Sequence, residues 1–130
     1  MKHMTAPCLL HGGDYNPEQW LASPQILEQD IELMKQANIN TVTLGVFSWS
    51  SYEPEEGHIS FDWLDQVTDR LWEAGISFIL ATPTGARPAW MDKKYPEIMR
   101  TDSYGVRNHH GLRHNHCMSS EIYREKAADM

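Results

Sequence analysis

The sequence is short of positive charge: 11 Lys and Arg stand against 18 Asp and Glu, for a net charge of −7. That balance argues against a general basic surface for nucleic acid or for anionic membrane. It is also poor in cysteine. Cys8 and Cys117 are the only two, at no spacing that suggests a disulfide framework, so a reduced, cytoplasmic setting is the expectation. No apolar run approaches the roughly 18 residues of a membrane-spanning helix. Residues 1–13, MKHMTAPCLLHGG, hold no apolar stretch of secretory length. The Gly-rich phosphate fingerprint of dinucleotide-binding folds is missing as well, because His11-Gly12-Gly13-Asp14 lacks its spacing.

What is present is a globular composition, 41% hydrophobic and 22% charged. Residues 8–15, CLLHGGDY, read as a first strand running into a tight turn. Ser23-Pro24 then reads as a helix start, with Ser as cap and Pro at the first helical position. Leu27, Ile31 and Met34 recur at helical spacing up to Ala37-Asn38, where Asn suits a left-handed cap. The β-branched run from Asn40 to Val46 reads as a second strand. A second helix runs from Asp62, taken as its cap, to Ala74-Gly75 and sets Leu64, Val67 and Leu71 on one face. Residues 76–82, ISFILAT, read as a third strand, of the kind buried on both faces.

The stretches Met34 to Ile39 and Leu71 to Ile76 echo one another, each ending a helix and opening a strand. A repeating βα unit of this length predicts an α/β fold that is the N-terminal part of a (β/α)8 barrel, a TIM barrel of about 250 residues or more. About three units are present, so the barrel is incomplete in this chain, and residues 1–130 are expected to form the N-terminal part of one larger barrel domain, truncated at the C-terminus. A doubly wound sheet is the competing architecture. Beyond the third strand the pattern loosens into a short helix near residues 88–93 and a long loop over 97–120. A last helix is capped by Ser120.

Loops at the C-terminal ends of parallel strands are where ligands bind, and several side chains there carry chemistry. Asp14 follows the first strand and is placed to bond a substrate hydroxyl or to orient its loop. Glu53, Glu55 and Glu56 read as loop-shaping and solvated charge. The run from Asn108 to Cys117 holds four histidines, but not at zinc-finger spacing, and reads as a solvated loop. Arg113 offers a guanidinium fork suited to sugar hydroxyls or to a carboxylate. Trp20, Trp49, Trp63 and Trp90 lie in or beside loops, which inclines them from core packing towards a binding face.

Three long motifs in order carry a family resemblance. His11-Gly12-Gly13-Asp14-Tyr15-Asn16-Pro17-Glu18-Gln19-Trp20 resembles the opening of family 42 β-galactosidases. Leu44 to Ser50, Glu53-Pro54 to Gly57, and Phe61 to Asp65 are similar to that family's second βα unit. Ala81 to Trp90 is similar to its third. The resemblance implies retaining hydrolysis of terminal non-reducing β-D-galactose residues. It implies that Arg113 contacts the galactose, and that Cys117 matches the first of four cysteines binding a structural zinc in some members. No cofactor is otherwise required. The acid/base and nucleophile glutamates are expected beyond residue 130, so no catalytic residue is assigned within the chain. The partners implied are small-molecule β-galactosides and, for the whole protein, further copies of itself; nucleic acid and membrane are not among them. Two other readings compete: a stand-alone, non-catalytic carbohydrate-binding module or remnant, and a His/Cys metal-binding protein.

Overall fold

The computed structural model describes residues 8–111 and 113–130. In chain order these form β1 (Gly12–Asp14), α1 (Gln25–Gln36), β2 (Thr41–Leu44), α2 (Trp49–Tyr52), α3 (Asp62–Glu73), β3 (Ser77–Leu80), α4 (Ala89–Lys94) and α5 (Glu121–Asp129), with 3-10 turns at Pro17–Trp20 and Pro96–Ile98. They fall into two compact units. One comprises the chain up to Leu44 with Phe61–Ala81, and the other Gly45–Ser60 with Thr82–Met130.

The first unit is a parallel sheet in the order β1-β2-β3, with Gly12 opposite Thr41 and Thr41 opposite Ser77. Parallel neighbours need a crossover connection, and α1 supplies it between β1 and β2, as α3 precedes β3. The apolar stripes predicted for the helices are the buried ones. Ile31 and Met34 of α1 and Leu64, Val67 and Leu71 of α3 enclose a core with Val42, Leu44 and Ile76.

The echo between the two helix ends is one backbone device used twice. Asn38 and Gly75 both take the left-handed conformation, at φ 56° and 75°. Ile39 N–H then donates to Met34 O, and Ile76 N–H to Leu71 O, both at 2.9 Å. This six-to-one closure caps the last carbonyls and aims the chain into the next strand.

Four expectations are corrected. The first strand is confined to Gly12–Asp14, and Leu9 and Leu10 are exposed outside it. Asn40 holds this lead-in instead, accepting from His11 N–H and donating to Leu9 O, each at 2.8 Å. The third strand is not buried on both faces, since Ile79 and Leu80 are 53% and 57% exposed where no further layer covers them. The predicted cap residues sit one place off: Pro24 and Phe61 occupy the cap positions, neither helix has a side-chain cap, and Asp62 is the first helical residue.

The second unit has little regular structure and its own core, in which Trp49, Met91, Ile98, Met99 and Tyr123 pack together. The loop over 97–120 is ordered by antiparallel bridges, Met99 with His116 and Thr101 with Arg107. Cys117 N–H donates to Ile98 O at 2.7 Å, and Arg100 N–H to Asn115 O at 2.9 Å. Ser120 caps α5 as predicted, its Oγ accepting from Tyr123 N–H at 3.3 Å.

Candidate functional site

Arg113 lies in the second unit, exposed, with its guanidinium carbon 4.2 Å from the centre of the Phe47 ring. It forms no ion pair with any described residue. The three residues after it are held from several sides. His114 takes a left-handed backbone at φ 56°. Its ring lies against Gly85, where an added Cβ would sit 2.8 Å from His114 Cε1. Asn115 is buried and donates to the carbonyls of His109 and Gly111. His116 is buried and stacks on Tyr123, ring centres 3.9 Å apart. The Tyr123 hydroxyl donates to Thr84 O at 2.8 Å.

Beneath this frame lies a buried ion pair. The Arg87 and Asp92 side chains are 2% and 7% exposed and meet through two bonds, Nε to Oδ1 and a terminal nitrogen to Oδ2 at 2.9 Å. The other terminal nitrogen of Arg87 lies 3.2 Å from His116 Nδ1. A guanidinium only donates, so Nδ1 is the acceptor and the ring proton sits on Nε2. Burial, reinforced by Arg87, holds the His116 pKa down to about 4, so the ring is neutral. Its Nε2 is buried without a partner among the described residues. His110, exposed, pairs with Asp92 from outside.

This corrects the reading of a solvated histidine run. His109, His110 and His114 are exposed, but His116 is a core residue. Glu56 is likewise more than solvated charge. It pairs with Lys94 and with Lys126 at 2.9 Å and accepts from the Tyr95 hydroxyl at 2.8 Å. Its bonds to Lys94, Lys126 and Tyr95 pull its pKa down to about 2. Glu53 shapes its loop as expected: buried, it accepts from Trp49 Nε1–H and Gly57 N–H, both at 2.8 Å. Trp90 Nε1–H donates to Glu53 O at 2.8 Å, so Trp49 and Trp90 serve this framework. Trp20 and Trp63 border a shallow apolar concavity of the first unit with Tyr15 and Val67.

Asp14, the other predicted hydroxyl partner, ends β1 in the first unit with its side chain exposed. Cys117 is a free, half-buried thiol. Among the described residues no three of His, Cys, Asp or Glu gather to hold a metal. One thiol does not make a zinc site.

Retaining glycoside hydrolysis needs two free carboxyl groups about 5–5.5 Å apart. The buried carboxylates here, Asp92 and Glu53, are both committed to structural partners. The pairing of Arg87 with Asp92 and His116 is not foreseen from the sequence. An arginine between Ala86 and Pro88 with an aspartate five residues on is too common a pattern to mark a buried pair.

Residues 14–130 match the family profile described as Beta-galactosidase, glycoside hydrolase family 42. The chain is 62% identical over 117 residues to the β-galactosidase BglY of Alicyclobacillus acidocaldarius, covering 90% of this chain and 17% of that protein. It is 54% identical over 118 residues to GanA of Bacillus subtilis, covering 91% and 18%. Among solved structures it superimposes on the β-galactosidase of Rahnella sp. R3 with a TM-score of 0.88 at 61% identity, covering 91% of this chain and 17% of that one. Gan42B of G. stearothermophilus gives the same TM-score at 58% identity, with the same coverage. The chain thus spans less than a fifth of the length of the relatives it matches. The fold it shares with them is the N-terminal part of a (β/α)8 barrel, incomplete in this chain.

Proposed function

The chain belongs to glycoside hydrolase family 42, the β-galactosidases, and from that premise we propose that it supplies part of the galactose-binding wall of such an enzyme. The reaction is retaining hydrolysis of terminal β-D-galactose from small β-galactosides. One glutamate protonates the leaving oxygen, and a second forms a covalent galactosyl intermediate that water resolves. Both glutamates belong to the rest of the longer protein and none to residues 1–130. In this reading the fragment alone binds without turning over, and the whole protein works as a homo-oligomer in the cytoplasm. Its two free thiols are in keeping with a reducing compartment.

Within the second unit, Arg113 donates to the sugar hydroxyls; Asp14, in the first unit at the C-terminal end of β1, is a separate candidate for accepting from a substrate hydroxyl. The observation that carries this is the state of Arg113. An exposed guanidinium, free of any carboxylate among the described residues, rises from three consecutive anchored residues. An arginine kept fixed yet unpaired has its donors available to a neutral, hydroxyl-rich ligand. Arg113→Ala in the full-length protein is expected to lower kcat/KM on an aryl β-galactoside about 10- to 100-fold, the worth of hydrogen bonds to a charged group. An unchanged kcat/KM would remove the role.

A further inference from the structure

We propose that Phe47 is the positioning residue for Arg113, a ring face that holds its guanidinium in place; this rests on the reading of Arg113 as the sugar contact. Both side chains belong to the second unit. Phe47 is placed by its C-terminal neighbours. Ser48 and Trp49 are fully buried, Trp49 is bonded through its indole to Glu53, and Ser48 N–H closes a turn on Gly45 O at 3.1 Å. With the next two residues locked, Phe47 stays half-buried and presents a ring face to Arg113 at 4.2 Å.

The geometry suits the chemistry asked of Arg113. An exposed arginine samples many rotamers, and fixing one side chain for binding costs affinity. A salt bridge would fix it too, but would consume the N–H groups needed for the sugar. A cation–π contact needs no carboxylate partner and so leaves N–H donors of the guanidinium available to a ligand. The frame at 114–116, in which Asn115 and His116 are buried, fixes where the side chain starts, and Phe47 fixes where its tip lies. Together they define a donor fork in advance of the ligand.

The test is a double-mutant cycle in the full-length protein, read as kcat/KM on an aryl β-galactoside with thermal midpoints alongside. Phe47→Leu keeps the apolar volume but removes the ring face, and is expected to lower kcat/KM about tenfold, the scale of one cation–π contact. Phe47→Tyr, which keeps the face, is expected to restore most of that loss. In an Arg113→Ala background, Phe47→Leu is expected to change kcat/KM less than twofold, because the residue it positions is gone. Equal losses from Phe47→Leu in both backgrounds, with a matching fall in thermal midpoint, would reduce Phe47 to a packing residue and overturn the proposal. So would a wild-type value for Phe47→Leu beside an impaired Arg113→Ala. A wild-type value for Arg113→Ala itself strikes the sugar-contact reading instead, and the proposal with it. Should Phe47→Leu not fold, Phe47→Met carries the same comparison.

Discussion

The two units are held together by different forces. In the first, a parallel ladder and the apolar stripes of α1 and α3 dominate, and its side-chain bonds are peripheral. The bidentate contact of Arg70 with Glu28, at 2.8 and 2.6 Å, is one of these, and it is exposed. In the second unit the regular elements are short, and side chains take over the bonding. Arg87 with Asp92 and His116, and Glu56 with Lys94, Lys126 and Tyr95, tie separate stretches of chain, while Glu53 closes its own loop on Trp49 and Gly57. Apolar burial is non-directional and tolerates small errors of placement. Hydrogen-bonded ion pairs are directional and do not. The unit that carries Arg113, the proposed sugar contact, is the one built from the directional kind.

If that contrast is right, the units should fail in different ways. The largest effect is expected from Asp92→Ala, which strands the buried Arg87 charge. Thermal or denaturant unfolding of the full-length protein should show a loss of about 3–5 kcal/mol. A loss below about 1 kcal/mol would mean the pair is a passenger. Gly12→Ala should break the first unit by steric means. An added Cβ would lie 1.7 Å from Thr41 O, a backbone atom of the neighbouring strand that cannot step aside. A destabilisation near 3 kcal/mol, at the top of the range for overpacking, is expected, with loss of amide protection across β1 and β2 by hydrogen exchange. Retained protection there would show that β1 is not pinned to β2 as described.

The smallest effect is electrostatic. Glu56 is held at a pKa of about 2 in the folded chain by Lys94, Lys126 and Tyr95, against an ordinary value of 4.5. A carboxylate whose folded value is depressed stabilises above its unfolded value, and that contribution is lost as pH falls through the folded one. The advantage of wild type over Glu56→Gln should therefore be full above about pH 5 and close between about pH 4.5 and pH 2. Since Lys94 is exposed, added salt should shrink it as well. An advantage that ignores both pH and salt would make Glu56 a packing residue.

The same division decides how much was readable in advance. Helix faces, the Asn38 cap and the order of strands follow from apolar period and stop signals, so the first unit was legible from its own residues. The misses there concern edges. Leu9, Leu10, Ile79 and Leu80 are as apolar as core residues, and composition cannot tell an uncovered flank from a covered one. In the second unit, Arg113 stands out as a guanidinium in a loop beyond the third strand, and its galactose contact is what the family resemblance implies; no periodicity points to it. The pairing of Arg87 with Asp92 and His116 is not foreseen, because it spans residues whose proximity only the fold creates. His116 sits among exposed histidines in the sequence, and its burial depends on Tyr123 and on Arg87 far behind it.

The interleaving of the units also has a consequence for synthesis. Trp49 is wholly buried in the second unit, yet its core partners Met91, Ile98, Met99 and Tyr123 all lie well downstream. A ribosome adding about 5–20 residues per second reaches Tyr123 roughly seventy residues, and so several seconds, after Trp49. The first sheet pairing and α1 can form during that interval, while the indole has nothing yet to pack against. During that interval the Trp49 indole is apolar surface open to a chaperone.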